Sequence, residues 1–244
     1  MKVFAISDLH LSIFNPKPMD IFGGAWENYV DKIAAAWNAK VSDEDLVLIA
    51  GDISWAMSLE NAVPDLKFIS AWKGRKVILR GNHDYWWKAI GGVRRILPQG
   101  MYAVQNDCVR VGSVLVCGSR AWTSPDGKQF TAEDKKIYDR EILRVRMSLD
   151  AMRAARQAGD SVVAMTHYPP FNSRLEPSPF TELFTEYAVD AVVYGHLHGR
   201  DCRVCRKAVV GGIPYYLTSC DQVANDPVEI LQTEDVCSKN TQER

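Results

Sequence analysis

All five histidines of this 244-residue chain sit in short motifs that read as ligand sets. In order these are Asp8-Leu9-His10, Gly51-Asp52, Gly81-Asn82-His83-Asp84, Thr166-His167 and Gly195-His196-Leu197-His198-Gly199. Imidazoles, carboxylates and one amide are the donors that two divalent ions held side by side require, with a single carboxylate shared between them. Asp8 and His10 are spaced i, i+2, as are His196 and His198. On an extended segment that spacing turns both side chains to one side, within reach of one ion. Gly51, Gly81, Gly195 and Gly199 flank the donors, as expected where the backbone turns sharply near a crowded site. The carbonyl oxygen of Asn82 suits a hard ion and adds no charge.

Short apolar strands alternating with amphipathic helices must position these donors, which points to an α/β chain. Strands are expected at 2–7, 45–50, 76–80, 109–111, 113–118, 161–166, 191–194, 203–209 and 214–219. Helices are expected at 25–39, 59–72, 85–97, 132–157 and 181–187. The helix from Ala132 has a cap in Thr131 and Asp134, and Ile142, Val145, Leu149 and Met152 fall on one face. Each motif follows a predicted strand, and in α/β sheets ligand sites form at the carboxyl ends of strands. Five strands delivering donors from one end converge on one cluster.

A net charge of -1 and mixed charges along the longest helix offer no stripe for nucleic acid or an anionic membrane. No apolar run approaches the ~20 residues of a membrane span, and Met1-Lys2 leads straight into the first motif-bearing strand, without a leader pattern. A cytoplasmic location is the expectation, and the six cysteines are expected as free thiols. Cys202-x-x-Cys205 has no second pair to complete a zinc site and reads as two small residues near a strand. One domain over 1–244 is expected, with about 226–244 as a flexible tail.

The ordered pattern D-x-H, GD, GNH(D/E), H, GHxH resembles the calcineurin-like metallophosphoesterase superfamily, specifically its small bacterial phosphohydrolases. The resemblance runs from residue 8 to residue 199. It implies a four-layer α/β/β/α sandwich with two mixed sheets and the dimetal site at strand ends. It implies that Asp8, His10, Asp52 and His198 hold one ion, that Asp52, Asn82, His167 and His196 hold the other, and that Asp52 bridges. His83 then faces the substrate, stabilising charge or protonating the leaving oxygen. The implied activity is hydrolysis of a small phosphorylated molecule through a hydroxide bridging two divalent ions. Mn2+ is the first choice, with iron or zinc compatible.

The chain departs from the protein serine/threonine phosphatases of that superfamily. Their GDxxDRG becomes Gly51-Asp52-Ile53-Ser54-Trp55-Ala56-Met57, with neither the second aspartate nor the arginine. Asp84 reads equally as a partner behind the site or as a helix cap. Specificity falls to the loops, where Trp55, Trp122 and Arg120 are candidate substrate contacts and Arg174 is another. Trp86 or Trp87 is expected to pack a helix onto the sheet. The segment 14–24 could form a rim over the site. A phosphodiesterase or nuclease acting on nucleotides is the rival enzyme reading, favoured by an aromatic wall of Trp55 and Trp122. A non-catalytic interaction scaffold is the remote alternative, opposed by the intact donor set.

Overall fold

A computed structural model describes all residues except 15, 126–129, 200, 201, 203 and 234–244. Among the described residues, eleven strands form two mixed sheets. The first has the order β11-β1-β2-β3-β4, built from β1 (Lys2–Ile6), β2 (Leu46–Ile49), β3 (Arg75–Leu79), β4 (Met101–Val104) and β11 (Val228–Gln232). All its pairs are parallel except β11 with β1. The second has the order β5-β6-β7-β8-β10-β9, built from β5 (Cys108–Val111), β6 (Val114–Gly118), β7 (Ser161–Met165), β8 (Ala191–Tyr194), β9 (Lys207–Val210) and β10 (Ile213–Leu217). Its central strands β6, β7, β8 and β10 are parallel, and β5 and β9 are antiparallel edges.

Strand alternation sorts the core into layers. Val3, Ala5, Leu48, Val77 and Leu79 face Val114, Val116, Val163, Met165 and Val193 in a core between the sheets. The alternate residues Phe4, Ile6, Val47, Ile49 and Ile78 point outward onto α1 (Tyr29–Lys40) and α2 (Leu59–Ser70), where they bury Ile33, Trp37, Leu66 and Ile69. On the other side Leu115, Val162, Ala164 and Val192 cover α4 (Ala132–Ala155) and α5 (Pro179–Glu186) through Val145, Leu149, Met152, Phe180 and Phe184. Because both faces of each sheet are covered, β2, β3 and β8 are nearly continuous apolar runs. The result is the four-layer α/β/β/α arrangement. Thr131 and Asp134 form the expected reciprocal cap of α4.

Several boundaries differ from expectation, each for a local reason. The helix expected at 85–97 shrinks to α3 (Ile90–Ile96), because Trp86 and Trp87 are both fully buried and the backbone around them turns rather than winds. Two short 3-10 turns, Asp20–Phe22 and Gly24–Trp26, precede α1, which therefore starts four residues later than predicted. β4 carries Tyr102 and Ala103 on a short stretch between turn residues and escapes the alternation signal. Part of the segment expected as a solvated tail is β11, whose Ile230 is buried and whose ladder covers the edge of β1. Residues 234–244 of that tail lie outside the described residues. Cys202 and Cys205 lie before β9 rather than in a strand, and Cys108, Cys117, Cys202, Cys205 and Cys220 are free thiols.

Candidate metal centre

The motifs gather at one edge of the sandwich. Asp8 follows β1, Asp52 follows β2 and Asn82 follows β3, whereas His167 follows β7 and His196 and His198 follow β8. Asp8, Asp52 and His167 are buried, His10 is 3% exposed, and Asn82, His83, His196 and His198 are half-buried. The extended i, i+2 geometry expected for Asp8 and His10 does not hold. Asp8, His10, Asp52 and His196 have φ of 59°, 44°, 51° and 71°, so left-handed turns aim these side chains. Such conformations cost of order 1–3 kcal/mol each and collect at functional sites. Two of the flanking glycines serve proximity. A Cβ on Gly81 would stand 2.0 Å from Asp52 Oδ1, and one on Gly195 would stand 2.3 Å from Asp8 Oδ2.

The donor atoms converge in two groups able to hold an ion, Asp8 with His10 and His198, and Asp8 with Asp52 and His167. Asp52 Oδ2 lies 3.7 Å from His10 Nε2 and 3.5 Å from His167 Nε2, and Asp8 is the carboxylate common to both groups. Asn82 Oδ1 lies 2.6 Å from His167 Nε2 and 2.9 Å from His196 Nδ1. His198 Nε2 is 3.1 Å from Asp8 Oδ1.

Burial and neighbouring charge oppose each other across the cluster. Burial opposes the charge on Asp8, but His198, His167 and His10 hold its carboxyl well below the ordinary carboxylate range. Asp52 is likewise held down against burial, chiefly by His167. Burial pushes His10 down to about 4 against the pull of Asp52 and Asp8. Burial, reinforced by His167, takes His196 down to about 4 as well. Both imidazoles are therefore neutral, with a lone pair to give. His167 and His198 resist burial because carboxylates surround them, and they rise to about 9 and about 10. An ion takes the place of such protons when carboxylates and imidazoles ligate it. The donor chemistry thus fits divalent ions.

Residues behind the donors fix their aim. Asp84 is fully buried and caps no helix, since α3 begins at Ile90 behind Ala89. Its Oδ1 accepts from Ile53 N (2.9 Å), Ser54 N (3.1 Å) and Trp86 Nε1 (3.0 Å), and its Oδ2 accepts from Gly81 N (2.7 Å). Asp84 therefore ties the Gly51-Asp52 turn to the Gly81-Asn82 turn. Asp221, absent from the predicted site, meets His198 Nδ1 at 2.8 Å and accepts from Gly199 N at 2.9 Å. A carboxylate on the far nitrogen of a ligating imidazole fixes its tautomer and orientation. One signal could have found it: Asp221 follows β10 at the same edge, as every motif follows its strand.

The predicted aromatic contacts separate. Trp55 stacks on His10 (4.8 Å, 20°) and lies 4.6 Å from His83, and Lys17 Nζ stands 3.3 Å over its ring. Trp122 lies across the site, 4.9 Å from Tyr168, which is itself 4.1 Å from His196. The two tryptophans therefore flank the cluster and do not form one wall. Arg120 sits 4.6 Å over Trp122, and its carbonyl accepts from His167 N and Tyr168 N. Arg174 pairs with Glu176 at 2.8 Å. His83 donates its backbone N–H to Asp52 Oδ1 at 2.8 Å, and its Nδ1 is 3.4 Å from Tyr85 Oη. Burial lowers its pKa. Trp26, 5.6 Å from His198, is a neighbour the motifs did not indicate.

These features assemble groups able to hold metal ions, and the comparisons supply the class of protein. The family model for calcineurin-like phosphoesterases matches residues 1–200, and the chain belongs to that family. It is a metal-dependent phosphoesterase. Its fold resembles that of TT1561 of Thermus thermophilus (TM-score 0.59, 11% identity, 93% of this chain and 96% of that one). It also resembles phosphopantetheinyl hydrolase from Mycobacterium tuberculosis (TM-score 0.54, 12% identity, 100% of this chain and 98% of that one). No curated protein matches the sequence. No helix among the described residues is long and apolar enough to cross a membrane.

Proposed function

We propose that the chain, read as one unit over 1–244, hydrolyses a small phosphorylated molecule with two divalent ions, manganese being the working pair. The observation that carries this reading is the convergence of imidazoles and carboxylates in two groups able to hold an ion, beside a pocket of small-molecule size. That pocket, of about 520 Å³, opens at His196 and is lined by Tyr168, Phe171, Asn172 and Leu197. Cavities of roughly 300–1,000 Å³ suit small ligands.

In this reading Asp8, His10, Asp52 and His198 hold one ion, and Asp52, Asn82, His167 and His196 hold the other. Bound ions supply Lewis acidity and a nucleophilic water at neutral pH. His83 stands at the open side of the cluster, where its ring can pass a proton to the leaving oxygen. Trp55 fixes the rings of His10 and His83 by packing on them. Trp122 and Arg120 border the substrate from the opposite flank. The free thiols accord with a cytoplasmic location.

The test is turnover of an aryl phosphate monoester and a bis-aryl diester by metal-stripped protein reloaded with Mn2+, beside Asp52→Asn. Monoester turnover abolished in Asp52→Asn supports the reading. Preferential diester turnover replaces it with a phosphodiesterase. Stoichiometric metal binding without turnover of either removes it.

A further inference from the structure

A second concave site lies at the same edge, beyond β3. Its volume is about 370 Å³, and it is lined by Arg80, Lys88, Arg120, Arg140 and Arg144 together with the amides of Gln105 and Asn106. Arg80 directly follows β3, Gln105 follows β4, and Arg120 lies two residues past β6. These strands run parallel to those that deliver the donors, Arg80 adjoins Gly81-Asn82, and the Arg120 carbonyl accepts from His167 N, so the pocket lies at the edge that carries the candidate metal centre. Arg140 and Arg144 project from α4 one turn apart.

Five cations line this small space and, among the described residues, no carboxylate does; the buried Glu141 behind it is already committed. Glu141 accepts from Arg144 Nη1 at 2.6 Å and from the Ser119 hydroxyl. Asp107, close by in sequence, pairs with Arg94. Among the described residues, Arg80, Lys88, Arg120 and Arg140 form no salt bridge. Arg80 Nε is shut off from solvent and meets no acceptor. A buried donor left so is costly unless a ligand completes it. Burial lowers the Arg120 pKa, and Arg80 and Arg144 push it the same way against Glu141. The pocket gathers positive charge that the protein itself does not neutralise.

We propose that this pocket is a second anion site, taking a phosphoryl-type oxyanion beside the metal centre. Guanidinium forks match tetrahedral and planar oxyanions with paired N–H donors, and Lys88 adds a point charge. The oxyanion is either a second phosphoryl group carried by the substrate or free phosphate. Binding at this site does not depend on turnover, so the inference and the proposed hydrolysis fail separately.

The decisive experiment is calorimetric titration of inorganic phosphate into manganese-reloaded protein at low ionic strength, with wild type, Asp52→Asn, Arg80→Met and Lys88→Ala/Arg140→Ala compared. Lys88 and Arg140 are exposed, so the double variant keeps its fold even if Arg80→Met does not. Phosphate binding is expected to survive Asp52→Asn, to weaken by about 10-fold or more when Lys88→Ala/Arg140→Ala is added to Asp52→Asn, and to weaken with added salt. Loss of all phosphate binding in Asp52→Asn, or binding that the added pocket substitutions leave unchanged, overturns the proposal. Hydrolysis of adenosine 5′-monophosphate and adenosine 3′,5′-bisphosphate separates the sources. A KM about 10-fold lower for the bisphosphate, abolished by Lys88→Ala/Arg140→Ala, shows a substrate-borne group. Equal KM values, with the phosphate titration intact, show free phosphate.

Discussion

Asp84→Asn tests the idea that one buried carboxylate holds two donor-bearing turns together. Asp84 receives four N–H donors, three on Oδ1 and one on Oδ2. Asparagine can keep the three on its carbonyl oxygen, but its amide then faces Gly81 N–H donor to donor. One charge-assisted bond is lost, at about 1.5–3 kcal/mol, and two buried donors confront each other, at about 1–3 kcal/mol for an unsatisfied group. The flipped amide leaves three donors unmatched and is worse. These losses come to about 3–5 kcal/mol, but neutral asparagine also relieves the burial and the Asp52 repulsion that oppose the charge, so the expected net destabilisation is about 1–2 kcal/mol. Burial and Asp52 push Asp84 up to about 6 against its backbone donors, so at pH 8 the wild-type group is charged. Urea unfolding of the metal-free proteins at pH 8 is the assay, because it separates stability from ion binding. With a slope of about 2–3 kcal/mol per molar urea, the midpoint should fall by about 0.3–1 M. A midpoint within about 0.2 M of wild type, less than 1 kcal/mol on that slope, would refute the reasoning and mean that the turns are held elsewhere.

Three further outcomes are expected. Asp221→Asn removes the carboxylate behind His198 and should weaken metal affinity by roughly 10–100-fold, read by competition with a chelating dye, while urea stability of the metal-free protein changes far less. Lys76 is buried, its ammonium donates to Trp72 O, and burial lowers its pKa to about 8 while Asp43 pulls it back. The unfolded chain binds the extra proton between pH 8 and 10.5, so wild type should gain roughly 2 kcal/mol over Lys76→Met between pH 7.5 and 10; a constant gap would contradict this. Gly118→Ala places a Cβ 1.9 Å from Met165 O at a φ of 147°, so it should cost several kcal/mol and lower the melting temperature, on the order of steric and backbone strain combined.

Sequence and structure agree where the signal is periodic or chemical. The apolar runs of β1, β2, β7 and β8 and the capped face of α4 were legible because both faces of the sheets are covered and α4 has one buried stripe. The gathering of the motif residues was legible because histidine occurs nowhere else in the chain. Other features depend on contacts between segments far apart in sequence. Asp221 meets His198 across 23 residues, and Asp84 meets Ile53 across 31. Neither pairing leaves a local pattern. The left-handed turns at Asp8, His10, Asp52 and His196 were missed because glycine is the usual marker of that conformation, and these positions carry none. The helix expected through Trp86 and Trp87 failed because burying both rings overrides local propensity.

The donors come in two contingents: Asp8, His10, Asp52 and Asn82 from the first sheet, and His167, His196 and His198 from the second. Any ion held by members of both is a rivet across the seam of the sandwich. Its binding free energy then becomes cohesion between halves that otherwise meet mainly through apolar side chains, and ligation raises the folding stability by mass action. Chelation should loosen this seam first, so amide hydrogens of β1 and β7 would exchange faster in the stripped protein while those within α4 stay protected. Metal supply would thereby set how long the folded chain lasts as well as how fast it works.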